Sequence, residues 1–299
     1  MKTPLWEISL TTSAEAEEAV AAFFEHLFGR SPSVFSHAAA PTATVSAYCQ
    51  KLPLREAELR SWLRTALKKV RNCGLNIGSG RIAIRRIAPA NWRESWKKHF
   101  KPFEISRALL VKPTWSRRRP RAGQAVVALD PGLSFGTGQH PTTAFCLEQL
   151  AAGRASAQQP SFLDIGTGSG ILAIAAAKLG YEPVQAFDVD PAAVRVARVN
   201  AIQNRVAKRV RIFRQDLILL PLRGGAKFDV ICANLTADLL VQQAKRIVRR
   251  LRPTGTLILA GILKIQFVEV HRTYAATGLK LIATRQDKEW RSAAFAFPR

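Results

Sequence analysis

The chain has 299 residues, 47% of them hydrophobic, and a formal net charge of +24 at pH 7. That length exceeds one small domain and suits a domain of about 150–200 residues with a smaller companion. No stretch approaches the ~20 consecutive apolar residues that cross a bilayer, so no membrane partner is expected.

Met1 to Leu10 carries Glu7 and lacks the basic start, apolar stretch and cleavage site of a secretory signal. Cys49, Cys73, Cys146 and Cys232 are scattered without CxxC or Cys/His ligand spacing. The expectation is reduced, buried thiols in a cytoplasmic monomer, with no metal site. The charge is the outlier, because such an excess attracts polyanions through space. It is distributed along the chain in pairs and triplets such as Arg117-Arg118-Arg119, Lys208-Arg209-Val210-Arg211 and Arg249-Arg250-Leu251-Arg252. Two readings stand: a solvated basic surface, and non-specific RNA contact.

In chain order, Leu5 to Leu10 alternates as a strand. It leads into a helix with Glu15 to Glu18 ahead of Ala19, Val20, Phe23, Phe24 and Leu27, capped by Ser13 and closed by Gly29. Thr44 to Tyr48 reads as a strand, Arg55 to Val70 as a helix and Arg81 to Ile87 as a third strand. Residues 1–88 therefore form a small α+β domain. Residues 89–103 place Trp92, Trp96, His99 and Phe100 at helical spacing between Pro89 and Pro102, a linker helix. Pro113 to Gly123 reads as an exposed loop.

Within residues 104–299 strands alternate with helices. Helix Thr142 to Leu150 precedes strand Ser161 to Ile165, helix Ile171 to Leu179, strand Val184 to Asp188, helix Pro191 to Asn204 and strand Val210 to Arg214. Strand Phe228 to Asn234, helix Ala237 to Leu251, strand Thr256 to Ala260 and helix Leu263 to Ala276 follow, and Leu279 to Arg285 with Trp290 to Phe297 make an antiparallel edge. Successive βα units demand a parallel sheet with right-handed crossovers and helices on both faces, a Rossmann-like doubly wound α/β domain.

The turn after strand Ser161 to Ile165 has Gly166, Gly168 and Gly170 at a helix start, so a ligand can approach the backbone closely and meet outward-facing amides. Dinucleotide enzymes use GxGxxG, whereas this spacing is GxGxG with Ile171 at the last position, which favours S-adenosylmethionine over NAD. Asp188 ends the neighbouring strand, where a carboxylate accepts the two ribose hydroxyls of an adenosine, while Asp190 caps the next helix. Asp164 either orders the turn by accepting backbone amides or meets the cofactor's ammonium group. Asp216 follows the third strand, where the adenine amino group is held or where an ordinary exposed Asp sits. Asn234 ends the fourth strand at the methyl-transfer point and is a catalytic candidate. Phe135 belongs to a glycine-rich loop ahead of the first helix of this domain and is a second candidate, as a wall, with Trp290, of a partly desolvated slot for the methyl acceptor. His140 of the same loop reads either as a base or as a structural histidine.

Two motifs, Trp92-Arg93-Glu94-Ser95-Trp96-Lys97-Lys98-His99-Phe100-Lys101-Pro102-Phe103 and Gly132-Leu133-Ser134-Phe135-Gly136-Thr137-Gly138-Gln139-His140-Pro141-Thr142-Thr143, together with Asp164 to Ala175, Asp188 to Pro191, Ala233-Asn234-Leu235 and Gly261-Ile262-Leu263, resemble the PrmA family. These are class I methyltransferases that modify amino groups of a large-subunit ribosomal protein. The resemblance covers about the last two-thirds of the chain. It implies that Thr143, Gly166, Asp188 and Asn234 contact S-adenosylmethionine, that the substrate is a ribosomal protein, and that residues 1–88 grip it. Ala233-Asn234-Leu235-Thr236-Ala237 lacks the Asn-Pro-Pro-Tyr signature of glutamine and adenine N-methyltransferases.

Overall fold

A computed structural model describes residues 5–29, 32–36, 42–87, 101–130, 140–153 and 159–298. The linker helix up to Phe100, Phe135 and the remainder of the 131–139 loop lie outside the described residues.

The chain divides into two compact units, Met1–His99 and Phe100–Arg299. In the first, β1 (Leu5–Ser13), β2 (Ser33–Ser36), β3 (Thr42–Cys49) and β4 (Arg81–Ile87) form an antiparallel sheet of order β2-β3-β1-β4. Helices α1 (Glu17–Phe28) and α2 (Glu56–Asn72) close over it, burying Phe24, Leu59 and Leu63 against Ile8, Leu10 and Val45. The cap of α1 differs from expectation. Its N-cap is Ala16, and the Ser13 hydroxyl at the end of β1 accepts the Ala16 amide at 3.2 Å. The edge strand β2 has no sequence counterpart because Ser33-Val34-Phe35-Ser36 is too short to show alternation.

The second unit opens with a three-stranded sheet of β5 (Phe103–Ile105), β6 (Leu109–Lys112) and β7 (Ala125–Ala128). Phe103, assigned to the linker helix, is therefore the first residue of a strand. Next come α3 (Pro141–Gly153), β8 (Phe162–Ile165), α4 (Ile171–Leu179), β9 (Val184–Asp188), α5 (Pro191–Gln203), β10 (Val210–Arg214) and β11 (Phe228–Asn234). Helices α6 (Ala237–Gln242) and α7 (Ala244–Val248), strand β12 (Leu251–Leu263), helix α8 (Phe267–Ala275) and strands β13 (Lys280–Asp287) and β14 (Trp290–Ala296) complete the unit.

The strand order is β10-β9-β8-β11-β12-β14-β13. The first five strands run parallel, while β14 is antiparallel to both of its neighbours. Chain order reverses between β8 and β11, and such a switch point leaves a crevice at the carboxyl ends of the strands. One apolar cluster buries α3 and α4 on one face, with Phe145, Leu147, Ile174 and Tyr181. A second buries α6 to α8 on the other, with Leu240, Ile247, Val270 and Tyr274.

Two helix boundaries move. The helix expected over 237–251 breaks at Gln243, and Leu251 already pairs with Phe228 as the start of β12. The helix expected from Leu263 begins at Phe267, because Ile262 and Leu263 pair with Arg291 and Trp290. Leucine periodicity cannot separate these states, since a buried strand needs the same residues.

Asn204, the C-cap of α5, joins that helix to the small sheet. Its Oδ1 accepts the Ala128 amide and its Nδ2 donates to the Ala128 carbonyl, both at 2.7 Å. One side chain thus satisfies both backbone groups at the end of β7, as a neighbouring strand would. Asn204→Ala leaves both without their partner, at a cost of about 1–3 kcal/mol. The thermal unfolding midpoint should fall by about 5 °C, measured by calorimetry.

Candidate functional site

A cleft of about 230 Å³ lies at the switch point, lined by Thr143, Gly166 to Gly168, Asp188, Gln215, Asp216, Asn234 and Leu235 among others. Its floor is the turn from β8 into α4. Gly166, Gly168 and Gly170 have φ of 74°, 52° and 81°, in the left-handed region that disfavours side chains. A Cβ on Gly166 would collide with Leu235 Cδ2, and one on Gly170 would lie 3.0 Å from the Ala197 Cβ of α5. Gly170 thus brings the turn and α5 together, and Gly166 opens the cleft beside Leu235.

The amides of this turn are committed inward. Gly166 and Thr167 both donate to the Phe187 carbonyl at 3.0 Å, and Gly168 donates to Asp188 Oδ2 at 2.9 Å. The expected outward fan of donors is therefore absent at these three positions. Such a turn is a poor phosphate cradle but accommodates a phosphate-free adenosyl group, in keeping with the choice of S-adenosylmethionine over NAD. Asn200 of α5 donates to the Ser169 carbonyl at 2.8 Å and pins the far side of the turn.

Asp188 accepts a second amide, Asp190 N, at 3.0 Å, which leaves its partly exposed carboxylate aimed along the cleft. Asp190 caps α5 by accepting Ala192 N at 2.7 Å. Asp216 lines the cleft and accepts Ile218 N at 3.0 Å, capping the 3-10 turn Leu217–Leu219.

Asp164 is set apart from the other candidates. It is buried and does not line the cleft; its Oδ2 accepts the Thr167 hydroxyl at 2.6 Å, so it orders the turn through a side chain rather than through the turn's amides. Its Oδ1 has no hydrogen-bond partner among the described residues. Burial pushes the Asp164 carboxyl up to about 7, against the lowering pull of Thr167.

At the other end of the cleft Asn234 Nδ2 donates to Thr142 Oγ1 at 3.3 Å, and Thr142 Oγ1 lies 2.7 Å from His140 Nδ1. The His140 ring meets Trp290 edge-on, with centroids 5.1 Å apart. Burial lowers the His140 pKa, so the ring is neutral at pH 7 and its Nδ1 can accept the Thr142 hydroxyl proton. Sequence reasoning passed over Thr142. Its signal was its place beside Thr143 at the start of α3, where only one of two adjacent threonines was singled out. The Thr143 hydroxyl lines the cleft, is buried, and has no hydrogen-bond partner among the described residues. A buried orphan hydroxyl in the same cleft as the partly exposed Asp188 carboxylate and apolar Leu217 and Leu235 fits an adenosyl and aminoacyl ligand. Below the site Cys146 and Cys232 are buried free thiols, and burial pushes the Cys232 thiol up, whereas Cys73 of the other unit is exposed, contrary to expectation.

The doubly wound sheet with its inserted antiparallel strand, and the phosphate-averse glycine turn at the switch point, define an S-adenosylmethionine-dependent methyltransferase of class I. The model of the ribosomal protein L11 methyltransferase (PrmA) family matches residues 4–297, and the chain belongs to that family. A ribosomal protein L11 methyltransferase from Trichlorobacter lovleyi is 44% identical over 212 residues, 70% of this chain and 68% of the relative. One from Brevibacillus brevis is 33% identical over 95% of this chain and 96% of its own. The crystal structure of a ribosomal protein L11 methylase from Lactobacillus delbrueckii subsp. bulgaricus superposes with a TM-score of 0.60 at 29% identity, covering 67% of this chain and all of that one.

The pH dependence of stability tests the environment of Asp164. A carboxyl raised from its ordinary 3.8 to about 7 contributes stability that is full below pH ~4 and is lost as pH rises through 7. Asp164→Asn cannot ionise. Its urea unfolding free energy relative to the parent should therefore climb between pH 5 and pH 8, and a flat difference would show that the carboxyl is ionised throughout.

Proposed function

We propose that this enzyme transfers methyl groups to amino groups, lysine side chains and an N-terminal α-amine, of the large-subunit ribosomal protein L11, acting as a cytoplasmic monomer. The observation that carries the reading is the polar chain from His140 through Thr142 to Asn234 at the mouth of the cofactor cleft. With Nδ2 donating to Thr142, the Asn234 Oδ1 is left as an acceptor that can orient the N–H of an incoming amine. S-adenosylmethionine supplies a methyl group already activated by its sulfonium.

The task of the protein is then positioning, holding the amine within ~3–3.5 Å of its target. A lysine of pKa about 10.4 is neutral about one part in a thousand at physiological pH, a cost of roughly 4 kcal/mol. Partial desolvation between Trp290, the neutral His140 and Asn234 lowers that cost. We assign Phe135 to the same slot, on the resemblance of its loop. Asp188 takes the ribose hydroxyls and Asp216 the adenine amino group; Thr143, Gly166, Gly168 and Gly170 complete the cofactor contacts, and Asp164 supports them through Thr167. Residues 1–88 grip the protein substrate.

Tritium transfer from labelled cofactor to purified L11 and to ribosomal RNA tests the substrate: label in the protein is expected, and label in RNA alone would overturn the assignment. Asp188→Ala should weaken cofactor binding by about tenfold to a hundredfold in calorimetry. Thr142→Val should lower kcat by about tenfold, with a smaller loss of cofactor affinity than Asp188→Ala, because it frees the Asn234 amide to rotate.

A further inference from the structure

We propose that the amino-terminal edge of the seven-stranded sheet, the end opposite the methyl-transfer cleft, is an RNA-binding face. The parallel strands β8 to β12 all begin at this edge, so the segments that enter them converge there. Those segments are strongly basic. Ahead of β10 come Arg205, Lys208 and Arg209, all exposed, with Lys178 of α4 close enough to Arg205 and Arg209 to feel their charge. Ahead of β11 come Arg223 and Lys227, and beside β12 stand Lys245 and Arg249 of the α7 region. None of these eight has a carboxylate partner among the described residues. The acids on these segments are Glu182 and Asp229, and Asp229 is already paired with Arg252 at 3.0 Å.

The opposite edge is mixed, with Asp188, Asp190, Asp216 and Asp238 at the ends of its strands and starts of its helices beside Arg214, Lys264 and Arg291. Cations with so few acids among them are thus a feature of the amino-terminal edge. Five strands at about 4.8 Å spacing make this edge about 19 Å wide, room for several phosphates of one strand.

The face also holds a concave feature. A cleft of about 560 Å³ is walled by Leu222, Val248, Pro253 and Phe297, with Lys227, Lys245 and Arg249 at its rim. An apolar, aromatic hollow with a cationic rim fits an unstacked base with its phosphate outside. A bilayer needs a convex apolar surface to insert, and an acidic peptide would need an apolar side chain placed among its carboxylates, whereas every nucleotide joins a flat ring to a phosphate. Among polyanions this combination favours a strand with unpaired bases, and we assign it to RNA. Because this face lies across the sheet from the methyl-transfer cleft, the RNA is held as a partner and not as the methyl acceptor.

The test uses the full chain, a fluorescein-labelled RNA hairpin with a single-stranded loop, and fluorescence anisotropy at several salt concentrations. The variant Lys227→Glu/Lys245→Glu/Arg249→Glu should bind at least tenfold more weakly, with the slope of log affinity against log salt reduced by about 2–3. Arg64→Glu/Lys68→Glu/Lys69→Glu, which makes the same change in net charge on exposed residues of α2, should stay within about twofold of the parent. Calorimetric cofactor binding, retained in each, reports that the catalytic unit is folded; should the first variant lose it, Arg205→Glu/Lys208→Glu/Arg209→Glu on the adjoining cluster takes its place with the same expectation. Equal weakening by the α2 variant, or displacement of the hairpin by polyglutamate or by anionic vesicles at equal charge, would overturn the proposal.

Discussion

The site depends on hydrogen bonds that hold one glycine turn against the sheet. Gly166 and Thr167 donate to Phe187, Gly168 to Asp188, and Asn200 reaches back to Ser169. A turn with three residues at positive φ has no intrinsic reason to stay so folded, and free glycine backbone carries the largest conformational entropy of any residue. The bonds come from β9 and α5, so the βαβ unit restrains its own ligand-binding turn. Asp188 belongs to both systems, since the carboxylate that faces the cleft also fixes the Gly168 amide.

That shared duty leaves the amides of Gly166, Thr167 and Gly168 committed within the fold. With its amides satisfied internally, the turn offers shape and van der Waals contact where a dinucleotide site would offer charge-assisted bonds to pyrophosphate. The polar side chains that line the cleft around it are Asp188, Asp216, Thr143 and Asn234. Asp164 lies beneath this arrangement with a carboxyl that burial pushes up to about 7, so the charge at the floor of the turn changes across neutral pH.

Much of this was readable from the residues, and the failures have physical causes. The buried strands β8, β9 and β11 and the glycine turn announce themselves through short apolar runs with Asp or Asn at or next to their ends, because a parallel sheet covered on both faces tolerates little else. The family resemblance came from motifs that include the 131–139 loop, which lies outside the described residues, yet the match to the family model over 4–297 agrees with it. What could not be read were states that share a sequence pattern. Leu251 and Leu263 are as suitable for a helix face as for a strand, and only pairing with Phe228 and Trp290 decides between them. Nor does sequence reveal that the Asp164 partner is the Thr167 hydroxyl, or that Thr142 links His140 to Asn234 across 92 positions, since such pairings are made by packing.

The position of β14 has a consequence for synthesis. It follows β13 in sequence yet lies between β12 and β13, and it brings Trp290 to His140. Until those seven residues leave the ribosome, β12 has an unpaired edge and β13 has no sheet to join. An incomplete sheet of that kind is exposed to wrong partners. The same delay keeps Trp290 away from His140, so a nascent chain that already has its glycine turn, Asp188 and Asn234 still lacks that ring contact. Closure of the sheet between β12 and β13 and the arrival of Trp290 beside His140 thus come with one strand.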